Sequence, residues 1–335
     1  MIKNEAVSMS PPEIMLIAAV CPLCGDHEVA DFLTAPDRFH WRTARHRLAH
    51  CSACSYVWLV DPPKPEEMPY HYDEDYHRTI AAGGETSASN RWMRQRQKIL
   101  SLKQSGSILD IGCSSGGFLG TMKGSSWKLY GIEMEETTAS NARAATGAHV
   151  FVGDAMAAPF TACTFDVITC FDVLEHVYQP REFLSKVLDW LKPGGIVYFV
   201  LPNIESWEAK IFGTYWYGLE LPRHISHFSP RSLRQAMNVL GFKEMVIKTP
   251  GTSYIERSVD YVRSGILQRL GFSPTAMANA KQRGVSWRCI RKILRVAVIQ
   301  PFGRVASLAN AGGSIEAVFT KSDLSSQLTI GPMSR

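Results

Sequence analysis

Two C-x-x-C pairs, Cys21-Pro-Leu-Cys24 and Cys51-Ser-Ala-Cys54, supply four thiols across a loop long enough to fold both pairs onto one ion. Four thiolates in a tetrahedron satisfy Zn²⁺ as a closed site, so this metal would build structure and carry out no reaction. His27, His40, His46 and His50 lie between the pairs, but the cysteines already complete the shell. Two disulfides or a redox dithiol are the competing reading. No βαβ unit surrounds the pairs, and the scattered Cys113, Cys163 and Cys170 suit a reducing compartment. A second group of residues can move protons: Asp172, Glu175 and His176 in one stretch, His224 and His227 in another. Imidazole titrates near neutrality and suits the removal of a proton from a hydroxyl or an acidic carbon, which makes His224 and His176 the candidate catalytic residues. Asp172-x-x-Glu175 also has the spacing of a helix capping box, a purely structural alternative, and the same acids leave a divalent ion open.

A third stretch, Ser107-Ile-Leu-Asp-Ile-Gly-Cys-Ser-Ser-Gly-Gly-Phe-Leu119, runs from a short apolar strand through a glycine turn into a helix. Gly112, Gly116 and Gly117 give the positive φ angles and the close backbone approach of a nucleotide-binding loop. Glu133 follows Asp110 by about 20 residues, where an acid can accept ribose hydroxyls. NAD and a methyl donor both fit the loop taken alone, although Ser114 stands where a dinucleotide site needs glycine.

These residues need elements to hold them. After Leu119 the chain alternates between strand and helix: strands at Lys128–Glu133, His149–Val152, Phe165–Cys170 and Ile196–Leu201, helices at 135–146 and 180–191. A capped helix from Ser229, with Pro230 in its first turn, precedes a strand at Phe242–Lys248, and Ser314–Thr320 reads as the last strand. The expected fold is α/β: a doubly wound, Rossmann-like, mostly parallel seven-stranded sheet with a small N-terminal zinc ribbon and a helical insertion before the last strand. In such a sheet the ligand lies at the carboxyl ends of the strands. The expected divisions are 1–65 for ribbon and linker, 66–250 for the core, 251–313 for the basic insertion and 314–335 for the last strand and tail. Further strands are expected at Ile14–Val20 and Tyr56–Val60 and a helix from Ser89 to Lys103, while residues 66–84 either cover the site or connect across the surface.

Leu109-Asp-Ile-Gly-Cys-Ser-Ser-Gly-Gly117, Gly131-Ile-Glu133, Gly153-Asp-Ala155, Phe165-Asp-Val with Asp172-Val-Leu-Glu-His176, and Leu191-Lys-Pro-Gly-Gly195 together resemble the class I S-adenosylmethionine-dependent methyltransferases. Both cysteine pairs, Tyr215-Trp-Tyr-Gly218 and Pro222-Arg-His224 leading to His227-Phe-Ser-Pro230 are similar to the subgroup with an N-terminal zinc ribbon, whose members modify sugars, polysaccharides or natural products. The resemblance implies S-adenosyl-L-methionine as cofactor. Gly112, Cys113 and Gly116 would wrap its methionine part, Asp110 would order the loop or the amino group, and Glu133 would hold the ribose. Asp154 and Ala155 would border the adenine, with Phe171 near the sulfonium. The methyl would pass to a small-molecule, sugar or lipid-linked glycan acceptor.

Trp207, Phe212, Tyr215, Trp216 and Tyr217 form either a lid over that acceptor or a plain packing layer, and Arg223 suits an acceptor phosphate. From Tyr261 to Ile315 the chain has no acid but carries arginines and lysines interleaved with Ile290, Ile293, Leu294, Val296 and Val298. That pattern suits an anionic membrane surface or a phosphorylated acceptor, against a solvated basic face. The net charge of +5 neither demands nor excludes nucleic acid. An RNA methyltransferase gripping phosphates with ribbon and insertion is one rival, though no aromatic–basic RNA motif requires it; a cofactor-binding protein without transfer activity is the other. The apolar run before Cys21 is too short to span a membrane and Glu5 and Glu13 spoil a basic leader, so a cytoplasmic protein is expected.

Overall fold

The structure, a computed structural model, describes residues 20–74, 76, 85–124, 126–251, 254–271 and 295–322. The strand expected at Ile14–Val20 lies outside these residues except for Val20, which sits in a bend.

The main sheet has seven strands: β4 (Gly106–Ile111), β5 (Trp127–Glu133), β6 (His149–Val152), β7 (Phe165–Phe171), β8 (Leu191–Pro202), β10 (Phe242–Lys248) and β11 (Ser314–Lys321). Their order is β10-β11-β8-β7-β4-β5-β6. β4, β5, β6, β7 and β8 pair in parallel, whereas β11 is antiparallel to both of its neighbours. The chain leaves β4 towards β5 on one side and returns to β7 on the other, so the crevice at the carboxyl ends of β4 and β7 is the switch point where such sheets bind ligands.

Local chemistry sets the helix ends. The Glu135 carboxylate accepts the amide N–H groups of Thr137 and Thr138 to start α3 (Glu136–Thr146), which stops at Gly147 with φ 74°. Ser229 and Ser232 form a capping box that starts α6 (Pro230–Val239). α1 (Glu85–Leu100) and α2 (Gly117–Met122) bury Ile99, Phe118, Leu119 and Met122 against one face of the sheet, while α4 (Pro180–Trp190) buries Phe183, Leu184 and Val187 on the other. β8 begins five residues earlier than expected, because Lys192-Pro-Gly-Gly195 forms a bulge inside the strand: its pairing jumps from Phe165↔Leu191 to Val167↔Ile196.

The cysteine region forms a second sheet of β1 (Val29–Pro36), β2 (Arg45–Cys51) and β3 (Val57–Leu59), and its fourth strand comes from far away. β9 (Ser226–His227) pairs antiparallel with β3, and the Leu59 amide donates to the Ile225 carbonyl at 2.9 Å. Cys21, Leu23, Tyr56 and Trp58 share one buried cluster with Leu174, Phe228, Leu233 and Met237. Ribbon and core are therefore one packed body. The insertion is helical where described, with α7 (Tyr254–Arg269), a π-helical turn at Arg295–Ile299 and α8 (Gln300–Leu308). Ile290, Ile293 and Leu294 lie outside the described residues. No helix among the described residues is long and apolar enough to cross a membrane.

Candidate active site

The four cysteine sulfurs converge. Cys21 Sγ is 3.7 Å from Cys54 Sγ and Cys24 Sγ is 3.6 Å from Cys51 Sγ, with all four within 4.8 Å of one another. A tetrahedron of Zn–S bonds of ~2.3 Å has edges of ~3.8 Å, so the cluster fits a structural zinc and is too open for disulfides. Gly25 makes the first turn with φ 80°, and Ser55 makes the second with φ 63°.

At the carboxyl end of β4, Asp110 is almost fully buried and its Oδ1 accepts the Thr169 hydroxyl at 2.6 Å. Burial pushes its carboxyl up to about 7 despite that bond. Gly112 follows with φ 70°, and a Cβ there would stand 2.5 Å from Val173 Cγ2, so only glycine lets the loop lie against the segment after β7. Cys113 is small for a packing reason: its sulfur lies where Gly131 leaves room, and a Cβ on Gly131 would approach it to 2.6 Å. Gly116 takes φ 83° as the residue before α2. Glu133 closes β5 beside this loop. Its Oε2 accepts the Ser114 amide at 3.0 Å and its Oε1 the amides of Met134 and Glu135 at 2.8 and 3.2 Å. Three bonds leave one acceptor position of a carboxylate's roughly four for a ribose hydroxyl. The Gly153 amide donates to the Glu133 carbonyl at 2.9 Å, which seats Asp154 and Ala155 next to it. Asp154 accepts the Met156 amide and caps the turn that carries Ala155.

These residues fit S-adenosylmethionine. Asp110 is a desolvated acid suited to an ammonium, Glu133 offers acceptor capacity for a ribose, and the Gly112 and Gly131 positions admit no larger side chain. Phe171 ends β7 in an aromatic cluster, stacked on Trp92 and edge-on to Phe118 and Tyr198, with ring centroids 6.0, 5.1 and 5.2 Å away.

The capping-box alternative for Asp172 and Glu175 is overturned. Val173, without a side-chain bond, precedes the short turn Leu174–His176. Asp172 takes a left-handed φ of 55° and binds Arg91 at 2.6 Å, while Glu175 is only 2% exposed. Burial first and then the Asp172 charge raise the Glu175 carboxyl well above its ordinary value, and its Oε2 has no partner among the described residues.

Two stretches meet around Glu175. The His176 and His224 rings stand edge to face with centroids 4.8 Å apart, and ligand atoms of Glu175, His176 and His224 all lie within 4.8 Å. His176 Nδ1 lies 2.9 Å from the Arg223 carbonyl and 3.0 Å from the Tyr72 hydroxyl; His224 Nδ1 lies 2.9 Å from the Gly218 carbonyl. A carbonyl only accepts, so each Nδ1 carries the proton and each Nε2 is left bare. Burial lowers both imidazoles, His224 to about 4, so both are neutral near pH 7.

Arg223 is not available to an acceptor phosphate as the sequence suggested. It is fully buried, bound to Glu220 at 3.3 Å, Asp37 at 3.5 Å and the His71 carbonyl at 3.2 Å, with its guanidinium between the rings of Phe39 and Tyr76. Trp216 is a packing residue, 1% exposed in a cluster with Leu48, Val57 and Ile225. Tyr217 instead faces Tyr254 and Tyr261 of α7, at centroid distances of 5.6 and 5.7 Å. Of the segment 66–84, expected either to cover the site or to connect across the surface, the described part reaches the site through Tyr72. Glu220 went unnoticed in the sequence. Its signal was an acid set alone in Gly218-Leu-Glu-Leu-Pro222, and its Oε2 stands 3.8 Å from His224 Nε2.

Comparison with known proteins places a name beside this geometry. Residues 85–246 match the family model described as a methyltransferase domain. The chain is 30% identical over 141 residues to the ubiquinone biosynthesis O-methyltransferase of Thiobacillus denitrificans, covering 40% of this chain and 59% of that one. It is 32% identical over 130 residues to the protein of the same name from Stutzerimonas stutzeri, covering 36% and 56%. The chain thus spans under two thirds of the length of these curated relatives. Among solved structures, an S-adenosylmethionine-dependent methyltransferase from Archaeoglobus fulgidus superposes with a TM-score of 0.49 at 19% identity, over 74% of this chain and all of that one.

Proposed function

We propose that this chain, whose residues 85–246 match a methyltransferase-domain family model, is a class I S-adenosylmethionine-dependent enzyme that methylates a hydroxyl group of a small-molecule or sugar acceptor. The observation that carries this reading is the pair of neutral imidazoles, His224 buried and His176 partly so, each with Nδ1 on a backbone carbonyl and Nε2 bare. The bound cofactor supplies an activated methyl group. The protein must then align the acceptor, exclude water and take one proton, and alignment accounts for most of the rate. The Tyr72 hydroxyl lies 3.0 Å from His176 Nδ1, while Tyr76 and Tyr217 reach Glu220 beside His224, and phenols of this kind suit a ring or a polyol. Relatives named as ubiquinone biosynthesis O-methyltransferases support transfer to oxygen. The experiment is an assay of S-adenosylhomocysteine release against a panel of phenols, sugars and sugar phosphates. Hydroxyl acceptors should turn over and the corresponding methyl ethers should not; transfer only to RNA would overturn the reading.

Asp110 offers a separate test of the cofactor site. Its carboxyl is held up to about 7 by burial, so it carries a proton over part of the neutral range, and a ligand ammonium would ionise it. Calorimetry in buffers of different ionisation enthalpy should therefore show net proton release on S-adenosylmethionine binding near pH 7. Asp110→Asn should abolish that release. Buffer-independent enthalpies in the unmodified protein would remove Asp110 from this role.

The insertion supports contact with an anionic membrane. α7 and the 295–308 segment expose Ile266, Leu270, Val296, Val298, Val305 and Leu308 in a region that carries arginines and no acid after Asp260. Flotation should recover the protein with phosphatidylglycerol vesicles at low salt and not with phosphatidylcholine; equal recovery with both would defeat it.

A further inference from the structure

Arg223 joins two parts of the chain that the sequence separates. Its side chain enters the ribbon, where Nη1 donates to Asp37 Oδ2 at 3.5 Å and to the His71 carbonyl at 3.2 Å. Its Nε donates to Glu220, the carboxylate beside His224, at 3.3 Å. Its own carbonyl accepts the Nδ1 proton of His176 at 2.9 Å. One residue thus fixes the tautomer of one histidine through its backbone and the acid beside the other through its side chain.

Asp37 in turn holds Arg223. It follows β1, is 0% exposed, and accepts the amides of Phe39 at 2.9 Å and His40 at 3.2 Å through Oδ1. Its Oδ2 faces both His40 Nδ1, at 2.8 Å, and Arg223. Burial opposes the charge on Asp37, but Arg223 and His40 outweigh it and keep the carboxyl ionised. A buried guanidinium left with one acid would lean on Glu220 alone. With Asp37 present, Arg223 is shared between two acids.

We propose that Asp37 of the zinc ribbon is a positioning residue for the acceptor site: through Arg223 it holds His176 in the Nδ1–H tautomer and sets where Glu220 stands against His224. The inference rests on the functional reading above, yet its first readout does not depend on turnover. The charged and titratable groups around the two imidazoles are Glu175 and Tyr72 from the preceding segments, Glu220, Arg223 and His227 from the loop that carries His224, and Asp37 behind Arg223.

The test is long-range ¹H–¹⁵N NMR of the histidines in the zinc-loaded protein at pH 7. The unmodified chain should show His176 and His224 as single Nδ1–H tautomers. Asp37→Asn, isosteric and still able to accept the Phe39 and His40 amides, should turn the His176 signal into a mixture of tautomers while zinc content and S-adenosylmethionine affinity stay within about twofold. Arg223→Lys keeps the charge but loses the fork that reaches Asp37 and Glu220 together, and should do the same. With a hydroxyl acceptor, kcat should fall at least about tenfold, as misplacement of a base allows, with KM for S-adenosylmethionine held. An unchanged His176 spectrum in Asp37→Asn overturns the proposal, and so does loss of zinc, which would make the role one of stability alone. If His224→Asn left turnover intact while the Asp37→Asn spectrum changed, the base reading would fail and the positioning link would stand.

Discussion

Removing zinc from the cysteine cluster, by chelation or by Cys24→Ser, is expected to end methyl transfer and to lower the thermal midpoint together. Structural zinc contributes about 10–16 kcal/mol in small zinc peptides, as much as the whole stability of a typical domain at about 5–15 kcal/mol. Here the loss spreads along a definite path. The cysteines anchor β2 and β3, β3 pairs with β9, and β9 continues the loop that carries Arg223 and His224. The Tyr56 hydroxyl meets Ser226 Oγ on the same route, and Cys21 and Cys54 share a buried cluster with Leu174 beside Glu175. Elemental analysis, near-ultraviolet circular dichroism and turnover should fall in step. A metal-free protein that keeps acceptor turnover would show that the ribbon is dispensable to the site.

His224→Asn should reduce kcat by about 10²–10⁴, the usual share of a general base. S-adenosylmethionine affinity should hold, because the residues proposed for the cofactor lie elsewhere, Asp110 on β4, Glu133 on β5 and Asp154 just after β6. The pH profile adds a sign. Burial lowers His224 to about 4, so the base stays neutral down to that pH and the acid limb of kcat should lie near 4 rather than near 6.5. Stability moves the same way. Between about 4 and 6.5 the unfolded chain binds more protons at this histidine than the folded one, so folding weakens as pH falls through that window. His227, lowered by burial to about 3, adds to the slope. A kcat profile with its acid limb unchanged in His224→Asn would assign the base to His176.

What the sequence could and could not disclose follows from the range of the interactions. The glycine loop, the acid ending β5 and the cysteine pairs are local patterns, set by φ angles and metal-ligand spacing within a few residues. The strand–helix alternation is local as well, and boundaries moved by more than a residue or two only at the bulge of Lys192–Gly195 and at the helix expected over Ser89–Lys103, which runs from Glu85 to Leu100. The segments Phe242–Lys248 and Ser314–Thr320 were legible as the last two strands as well. β9 had no such signal: two residues, Ser226 and His227, form a strand only because β3 lies alongside. Arg223 misled for the same reason. An arginine beside histidines reads as a ligand contact until Asp37, 186 residues away in sequence, is seen to neutralise it. Glu175 and Asp172 had capping-box spacing, but the helix began elsewhere and burial put Glu175 among the histidines.

The borrowed strand also governs how the chain can be made. Leaving the ribosome, the cysteine pairs and β1 to β3 emerge ahead of β9, and 170 residues separate Tyr56 from its partner Ser226. At about 5–20 residues per second that is a wait of roughly 10–35 s with β3 as an open, apolar edge. Metal capture by the nascent cysteines can proceed in that interval; closure of the sheet cannot. The N-terminal fragment made alone would keep that sticky edge for good, and aggregation during expression is the behaviour to expect of any truncation that ends before His227.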